Sequence, residues 1–259
     1  YHVIALIKPH HDASFLNSLG VKTIIRAHLY EPDTYRDEMP ETCAVFHCYS
    51  LSPGANERTE VYYRENILAS RILLNVAREK KINQFIYTSS VSVIGPNATS
   101  TRYITETAPT NPNDVYGKSK LAVEKEIRTF HAQTGIPCLL LRIFPLYGPH
   151  AHKNSTPVRM AKLLQQKRFV MVGNGSNNYE FCYSKNAAEG IVLAAKKTKT
   201  GLEVFNISEP TKRTYGEVIR EFARRVNPNV TIIHVPIWLA YCIGFIGEIV
   251  YILFRKRSI

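Results

Sequence analysis

The sequence predicts an α/β protein built on a doubly wound parallel sheet, and two observations carry that expectation. Short runs rich in β-branched and aromatic residues alternate with longer stretches whose apolar residues recur at three- and four-residue spacing. Neighbouring parallel strands need a crossover, and a helix makes the compact one. Strand and helix in alternation therefore argue for helices on both faces of a parallel sheet.

In chain order, Val3–Ile7, Val21–Ala27 and Ala44–Cys48 read as strands. A helix is predicted over about 57–80, where Leu68, Ile72, Leu73 and Val76 share a face. Gln84–Ser89 is the next strand. Asn111-Pro112-Asn113-Asp114 supplies oxygens able to cap free amides, so a second helix is predicted over 114–134, with Leu121, Val123, Ile127 and Phe130 as its apolar positions. Cys138–Phe144 closes the alternation. Beyond it the pattern loosens around Pro145, Gly148, Pro149 and Pro157, which predicts a smaller lobe over the strand ends. In such folds ligands bind at the carboxyl ends of the strands.

With 45% apolar residues over 259 positions, the chain can bury one large core or a core plus a lobe, which argues against disorder. Lysine and arginine number 33 against 21 acidic residues, a net charge of +12 that suits an anionic cofactor, a nucleic acid or an acidic membrane surface. The positive residues are mostly dispersed, with clusters at Lys196-Lys197 and Arg255-Lys256-Arg257. No compact arginine-aromatic cluster stands out, so no nucleic-acid partner is expected. Cys43, Cys48, Cys138, Cys182 and Cys242 form no C-x-x-C pair, which suggests thiols in a reducing, cytoplasmic setting. His150-x-His152 lacks a third ligand and reads as a solvated loop pair, so no metal site is expected.

The chemistry centres on Tyr116 and Lys120. Four residues apart near the start of the second helix, they project from one face, so the ammonium can lie near the phenol oxygen or share a ligand with it. Ionising a free tyrosine at pH 7 costs roughly 4 kcal/mol, so a base at this position needs its pKa lowered. A lysine cation, a helix N-terminus and an oxidised nicotinamide would each favour the phenolate. Y-x-x-x-K alone is usually a surface pair. Here Tyr87-Thr88-Ser89-Ser90 ends a strand upstream, where a serine hydroxyl could hold a substrate oxygen.

These residues, in this order, resemble the extended short-chain dehydrogenase/reductase superfamily of the epimerase/dehydratase type, in register along nearly the whole chain. The resemblance implies a Rossmann-like fold and a catalytic set of Ser90, Tyr116 and Lys120, with Asn66 supporting the cofactor and the lysine. It implies NAD or NADP as cofactor. The contacts it implies are Lys8, His28 and Leu29 from the first strands, and Cys48, Tyr49 and Ser50 from the loop after Val45-Phe46-His47. Asn66, Ser89, Tyr116, Lys120 and Pro145 complete the set, and Leu141-Arg142 and Tyr147-Gly148-Pro149 match the segment passing the nicotinamide. Residues 1–144 would then be the dinucleotide-binding domain and 145–259 the substrate lobe. Within the superfamily, Gly173-Asn174-Gly175-Ser176-Asn177, Phe181, Tyr183, Asn186, Ala194-Ala195 and Val235–Tyr241 are similar to the 3β-hydroxysteroid and sterol-4α-carboxylate dehydrogenase branch.

Three departures bear on function. The glycine-rich first strand-turn-helix that would meet the pyrophosphate is absent, so the chain matches the superfamily from its second strand onward, and sequence lying ahead of Tyr1 is the expected reason. Lys8 stands where the superfamily often has an acid for the ribose diol, and favours a 2′-phosphate instead; His28 and Tyr49 replace its usual aspartate and alanine near the adenine. No arginine stands near Tyr179 to grip a sugar diphosphate, which favours an apolar substrate. From Val235 to Phe254 the chain is apolar apart from Glu248, and a membrane-surface anchor and a buried lobe helix both fit. The expected function is NAD(P)-dependent oxidation or reduction of a hydroxyl or keto group on a sterol-like small molecule, in a chain able to form a homodimer. A nucleotide-sugar epimerase or dehydratase is the enzymatic rival, and a noncatalytic structural or RNA-binding role is the other.

Overall fold

The computed structural model of the chain describes residues 2–51, 58–96, 104–151, 155–209 and 213–245. The first elements follow the alternation closely: β1 (Ile4–Ile7), the short α1 (Ser14–Ser18), β2 (Thr23–Arg26) and β3 (Ala44–His47). The helix predicted over 57–80 is composite. α2 (Thr59–Tyr62) passes through a π-helical turn, Tyr63–Leu68, into α3 (Ala69–Glu79). β4 (Gln84–Ser90), α4 (Val115–Thr134) and β5 (Cys138–Ile143) follow. Asp114 caps α4 by accepting from the Gly117 amide at 2.6 Å, and Gly135, at φ 70°, ends it in the left-handed conformation that glycine tolerates.

After Phe144 the chain makes β6 (Leu146–Tyr147), α5 (Thr156–Leu164), β7 (Arg168–Val172) and β8 (Cys182–Tyr183). It continues through α6 (Ser184–Lys197), β9 (Leu202–Ile207), α7 (Tyr215–Val226) and β10 (Thr231–Val235), and the backbone is helical again at 237–245. α7 opens on a capping box between Thr214 and Glu217.

Two compact units result, Tyr1–Phe144 with Ser184–Ser208, and Pro145–Tyr183 with Glu209–Ile259. This corrects the division expected at 144/145. α6 and β9 return to the first unit because β9 pairs with β5 along Cys138–Ile143, while Ala195 of α6 packs on Ile86, Leu139 and Leu141.

In the first unit every strand pair is parallel, in the order β3-β4-β5-β9, with β1 and β2 paired separately. The expected parallel sheet is thus present in two pieces that share one core, in which Leu6 and Ile25 join Val45, Phe85, Ile127 and Leu140. β4 is buried along nearly its whole length, as a central parallel strand should be. The second unit pairs β6 with β8 and β7 with β10, again in parallel, around Met160, Leu164, Phe169, Met171, Val218 and Ile219.

Candidate active site

β4 delivers Ser90 at its carboxyl end, and α4 delivers Tyr116 in its first turn and Lys120 one turn on. Two glycines let these segments approach. A Cβ on Gly117 would lie 2.6 Å from the Ser92 carbonyl oxygen, and one on Gly95, at φ 73°, only 2.0 Å from the Asn111 oxygen. Glycine at both places seats the first turn of α4 on the turn that follows Ser90.

Ser90 and Tyr116 are brought together. The Ser90 oxygen accepts from the Ser92 amide at 3.1 Å and lies 3.1 Å from the Ser92 hydroxyl, and Ser90 is near enough to the Tyr116 phenol to pull its pKa down. Lys120 is 2% exposed, with Nζ 4.7 Å from the centre of the Tyr87 ring and 5.8 Å from that of Tyr116. It donates to the Thr88 carbonyl at 2.8 Å.

The electrostatics differ from the expectation of a lowered tyrosine pKa. Burial pushes the Tyr116 phenol up to about 12, against the pull of Ser90 and with smaller upward contributions from Asp114 and Tyr62. Burial also drives Lys120 down to about 7, which Cys48 and Glu124 partly oppose. In the protein alone desolvation outweighs the favourable neighbours, since removing water penalises whichever form is charged. Tyr116 is held in its protonated form.

Asn66 acts through other groups. It accepts from the Leu51 amide at 2.7 Å and donates to the Ser119 hydroxyl at 2.8 Å, and that hydroxyl donates to the Tyr116 carbonyl at 2.7 Å. One side chain thereby ties the loop after β3 to the first turn of α4. The π-helical turn carries both Asn66 and its neighbour Glu65; such turns recur at functional sites.

Ser89 is not placed as expected of a cofactor contact. Successive strand residues face opposite sides, so Ser89 points away from Ser90 and donates to Glu124 at 2.7 Å. Arg142, expected beside the nicotinamide, instead grips Glu124 through Nε at 3.0 Å and Nη2 at 2.9 Å. Both side chains are almost wholly buried. Glu124 was legible as the next residue after Tyr116 and Lys120 on one helical face, but its spacing alone did not reveal its partner.

The remaining expected cofactor contacts divide. Lys8, Tyr49 and Glu65 meet: Lys8 Nζ donates to Glu65 Oε2 at 2.9 Å and lies 5.0 Å from the centre of the Tyr49 ring, and the Tyr49 hydroxyl donates to the same oxygen. His28 stacks on Tyr30 with centroids 4.9 Å apart. Leu29 does not face outward; its side chain is in the core and its carbonyl accepts from Tyr35. Cys48 is exposed, and Ser50 donates to the Leu51 carbonyl. Pro145 belongs to the second unit, where its carbonyl accepts from Cys182. His150 has a positive φ of 62° in its loop, and His152 lies outside the described residues.

Whether these residues suit a dinucleotide is testable on the structure. His28 Nδ1, at the carboxyl end of β2, is buried with no hydrogen-bond partner among the described residues, the signature of a group that waits for a ligand or water. Together with the cations and aromatic faces of Lys8, Tyr49 and Tyr30 it fits an adenosine moiety.

The second unit holds its own cavity of about 490 Å³, lined by Tyr147, Tyr179, Phe181 and Phe222 together with the charged Glu209, Arg213, Glu221 and Arg225. Tyr147 donates to Glu209 at 3.1 Å, and Glu209 also accepts from the Tyr183 amide.

Comparison with known proteins agrees with this architecture. Mouse sterol-4-alpha-carboxylate 3-dehydrogenase, decarboxylating, is 25% identical over 209 residues, 78% of this chain and 57% of that protein. Human dTDP-D-glucose 4,6-dehydratase is 25% identical over 177 residues, 68% of this chain and 50% of that one. The chain spans about half the length of the curated relatives it matches. Among solved structures, UDP-glucuronic acid 4-epimerase from Bacillus cereus in complex with NAD superposes with a TM-score of 0.75 at 24% identity, covering 91% of this chain and 79% of that one. The likeness shows a shared Rossmann-like fold. The model of the NAD dependent epimerase/dehydratase family matches residues 1–208, four-fifths of the sequence, and the chain belongs to that family.

Proposed function

We propose that this chain is the catalytic part of an NAD(P)-dependent oxidoreductase acting on a hydroxyl or keto group of an apolar, sterol-like substrate. The observation that carries this reading is the convergence of Ser90, Tyr116 and Lys120 at the end of β4 and the start of α4. Ser90 would hold the substrate oxygen, and Tyr116 would exchange the proton with it. Lys120, charged, would favour the phenolate across the short gap to the ring. Asn66 holds the turn that carries Tyr116. The bound dinucleotide would supply hydride exchange at the substrate carbon. Lys8, His28 and Tyr49 would hold its adenosine end.

The aromatic cavity of the second unit supports an apolar substrate, as does the similarity to a sterol-4-alpha-carboxylate dehydrogenase. A nucleotide-sugar epimerase or dehydratase is the second reading. Arg213 and Arg225, which line that cavity, favour it as cations near Asn177 and Asn178, although Arg225 is already paired with Glu221 at 2.9 Å. Product analysis on the full-length protein separates the two. Lasting, stoichiometric reduction of the dinucleotide with hydroxysterols supports the oxidoreductase, whereas conversion of UDP- or dTDP-sugars with no net cofactor reduction supports the rival.

A surface role at a membrane is a separate proposal for the apolar segment. Ile237, Trp238, Tyr241, Ile243 and Phe245 are all more than half exposed, although no helix among the described residues is long and apolar enough to cross a bilayer. Pelleting of the full-length protein with anionic vesicles, lost in Trp238→Ser/Phe245→Ser, would support it; wholly unbound protein would remove it.

A further inference from the structure

We propose that Glu124 is a positioning residue for the proton exchange at Tyr116: its buried carboxylate, held by Arg142 and Ser89, keeps Lys120 in the charged form that acts on the phenol. The inference rests on the Ser90-Tyr116-Lys120 reading above and adds to it a group that acts only through Lys120.

The geometry comes from three elements. Glu124 follows Lys120 by one turn of α4, and β4 receives the two side chains at successive residues. Lys120 Nζ donates to the Thr88 carbonyl at 2.8 Å, while the Ser89 hydroxyl donates to Glu124 Oε1 at 2.7 Å. Ammonium and carboxylate are thereby fastened to one stretch of backbone. From β5, Arg142 donates through Nε to Oε1 at 3.0 Å and through Nη2 to Oε2 at 2.9 Å, which fixes the plane of the carboxylate. Lys120, Glu124 and Arg142 are 2%, 1% and 3% exposed, so water screens the charges little.

Lys120 depends on a negative neighbour. Burial drives its pKa down to about 7, and Cys48 and Glu124 oppose that fall. Desolvation pushes the Cys48 thiol up, against the pull of Lys120 and Thr88, so at pH 7 it is a neutral thiol. His47, lowered to about 3 by burial and then by Lys120, is uncharged as well. The rings of Tyr87 and Tyr116, 4.7 and 5.8 Å from Nζ, belong to phenols that burial keeps protonated. Among these described neighbours the negative charge falls to Glu124. Arg142 and, at 4.0 Å, Arg128 offset part of it. Without Glu124, Lys120 would be largely neutral at pH 7 and could not favour the phenolate.

The test reads Lys120 twice in the full-length protein, first with no dinucleotide present. Urea midpoints are followed from about pH 5 to pH 11, and the part of the profile that Lys120→Met removes is the lysine's own. That part is lost as pH falls through the folded-state pKa, so it should level off near pH 7 in the unaltered protein. In Glu124→Gln it should go on falling and level off about one pH unit lower. Glu124→Leu with Arg142→Met strands no charge; it should move the same way, and it serves if Glu124→Gln does not fold. The second reading is turnover with the substrate that product analysis identifies. Its loss at high pH should set in about one pH unit lower in the same variants. A levelling-off that stays near pH 7 in either folded variant overturns the proposal, and so does a turnover profile that does not move; both leave the oxidoreductase reading standing. An unaltered protein with no turnover on any hydroxyl or keto substrate removes that reading and the role of Glu124 with it, whatever the midpoints show.

Discussion

Lys120 stands one helical turn after Tyr116, yet its ammonium is bonded to the Thr88 carbonyl at 2.8 Å and lies 5.8 Å from the centre of the Tyr116 ring. The strand, not the phenol, holds the lysine in place, and a cation so buried is costly. Burial takes its pKa from 10.5 to about 7. Between those values the unfolded chain binds a proton that the folded chain does not, so stability is full above pH 10.5 and is lost as pH falls towards 7. At about 1.4 kcal/mol per pH unit the effect amounts to a few kcal/mol. Lys120→Met should flatten this slope and raise the urea midpoint at pH 7; an unchanged slope contradicts the assigned burial.

His47 works in the acid range. It is buried, with Nε2 2.7 Å from the Ser70 hydroxyl, and burial first, then the nearby Lys120 charge, lowers its pKa to about 3. Its contribution is complete above pH 6.5 and disappears as pH falls to about 3, because only the unfolded chain takes up the proton in that window. His47→Gln is expected to shallow the acid limb of a urea-midpoint profile between those limits. A limb of unaltered steepness would rule the residue out as its source.

Glu124 and Arg142 form a buried pair whose removal should be asymmetric. Glu124→Ala leaves the guanidinium without its carboxylate and is expected to cost about 3–5 kcal/mol. Replacing both residues, Glu124→Leu with Arg142→Met, should recover most of that loss. Equilibrium unfolding of the single and double variants checks this; equal damage in both would show that packing rather than charge dominates.

Gly117 tests the seating of α4. Alanine is ordinarily favoured over glycine in a helix by about 1 kcal/mol. Here the added Cβ would lie 2.6 Å from the Ser92 oxygen, so Gly117→Ala should destabilise by about 1–3 kcal/mol and separate Tyr116 from Ser90. Turnover is expected to fall at least about tenfold, since small displacements of reacting groups cost rate steeply. A stabilised, fully active variant would contradict the close approach.

Much of this was legible in the sequence where one element acts alone. The alternation located β1 to β5 within two residues at either end, and helical spacing put Tyr116 and Lys120 on one face of α4. What escaped depended on partners distant in the chain. Nothing local tells that Lys8 meets Glu65 across 57 residues, or that Ser89 and Arg142 converge on Glu124. The strand Leu202–Ile207 has an apolar pattern too short to identify alone, and only its pairing with β5 returns it to the first unit. The π-helical turn has no signature in residue type, because it arises from the packing that Glu65 and Asn66 satisfy.

The central claim is that Tyr116 transfers the proton. In full-length protein, dinucleotide reduction with the substrate that product analysis identifies should fall about 10²–10⁴-fold in Tyr116→Phe. Dinucleotide affinity and the urea midpoint should stay close to those of the unaltered protein. A Tyr116→Phe protein that still reduces the dinucleotide at near the original rate would contradict the account.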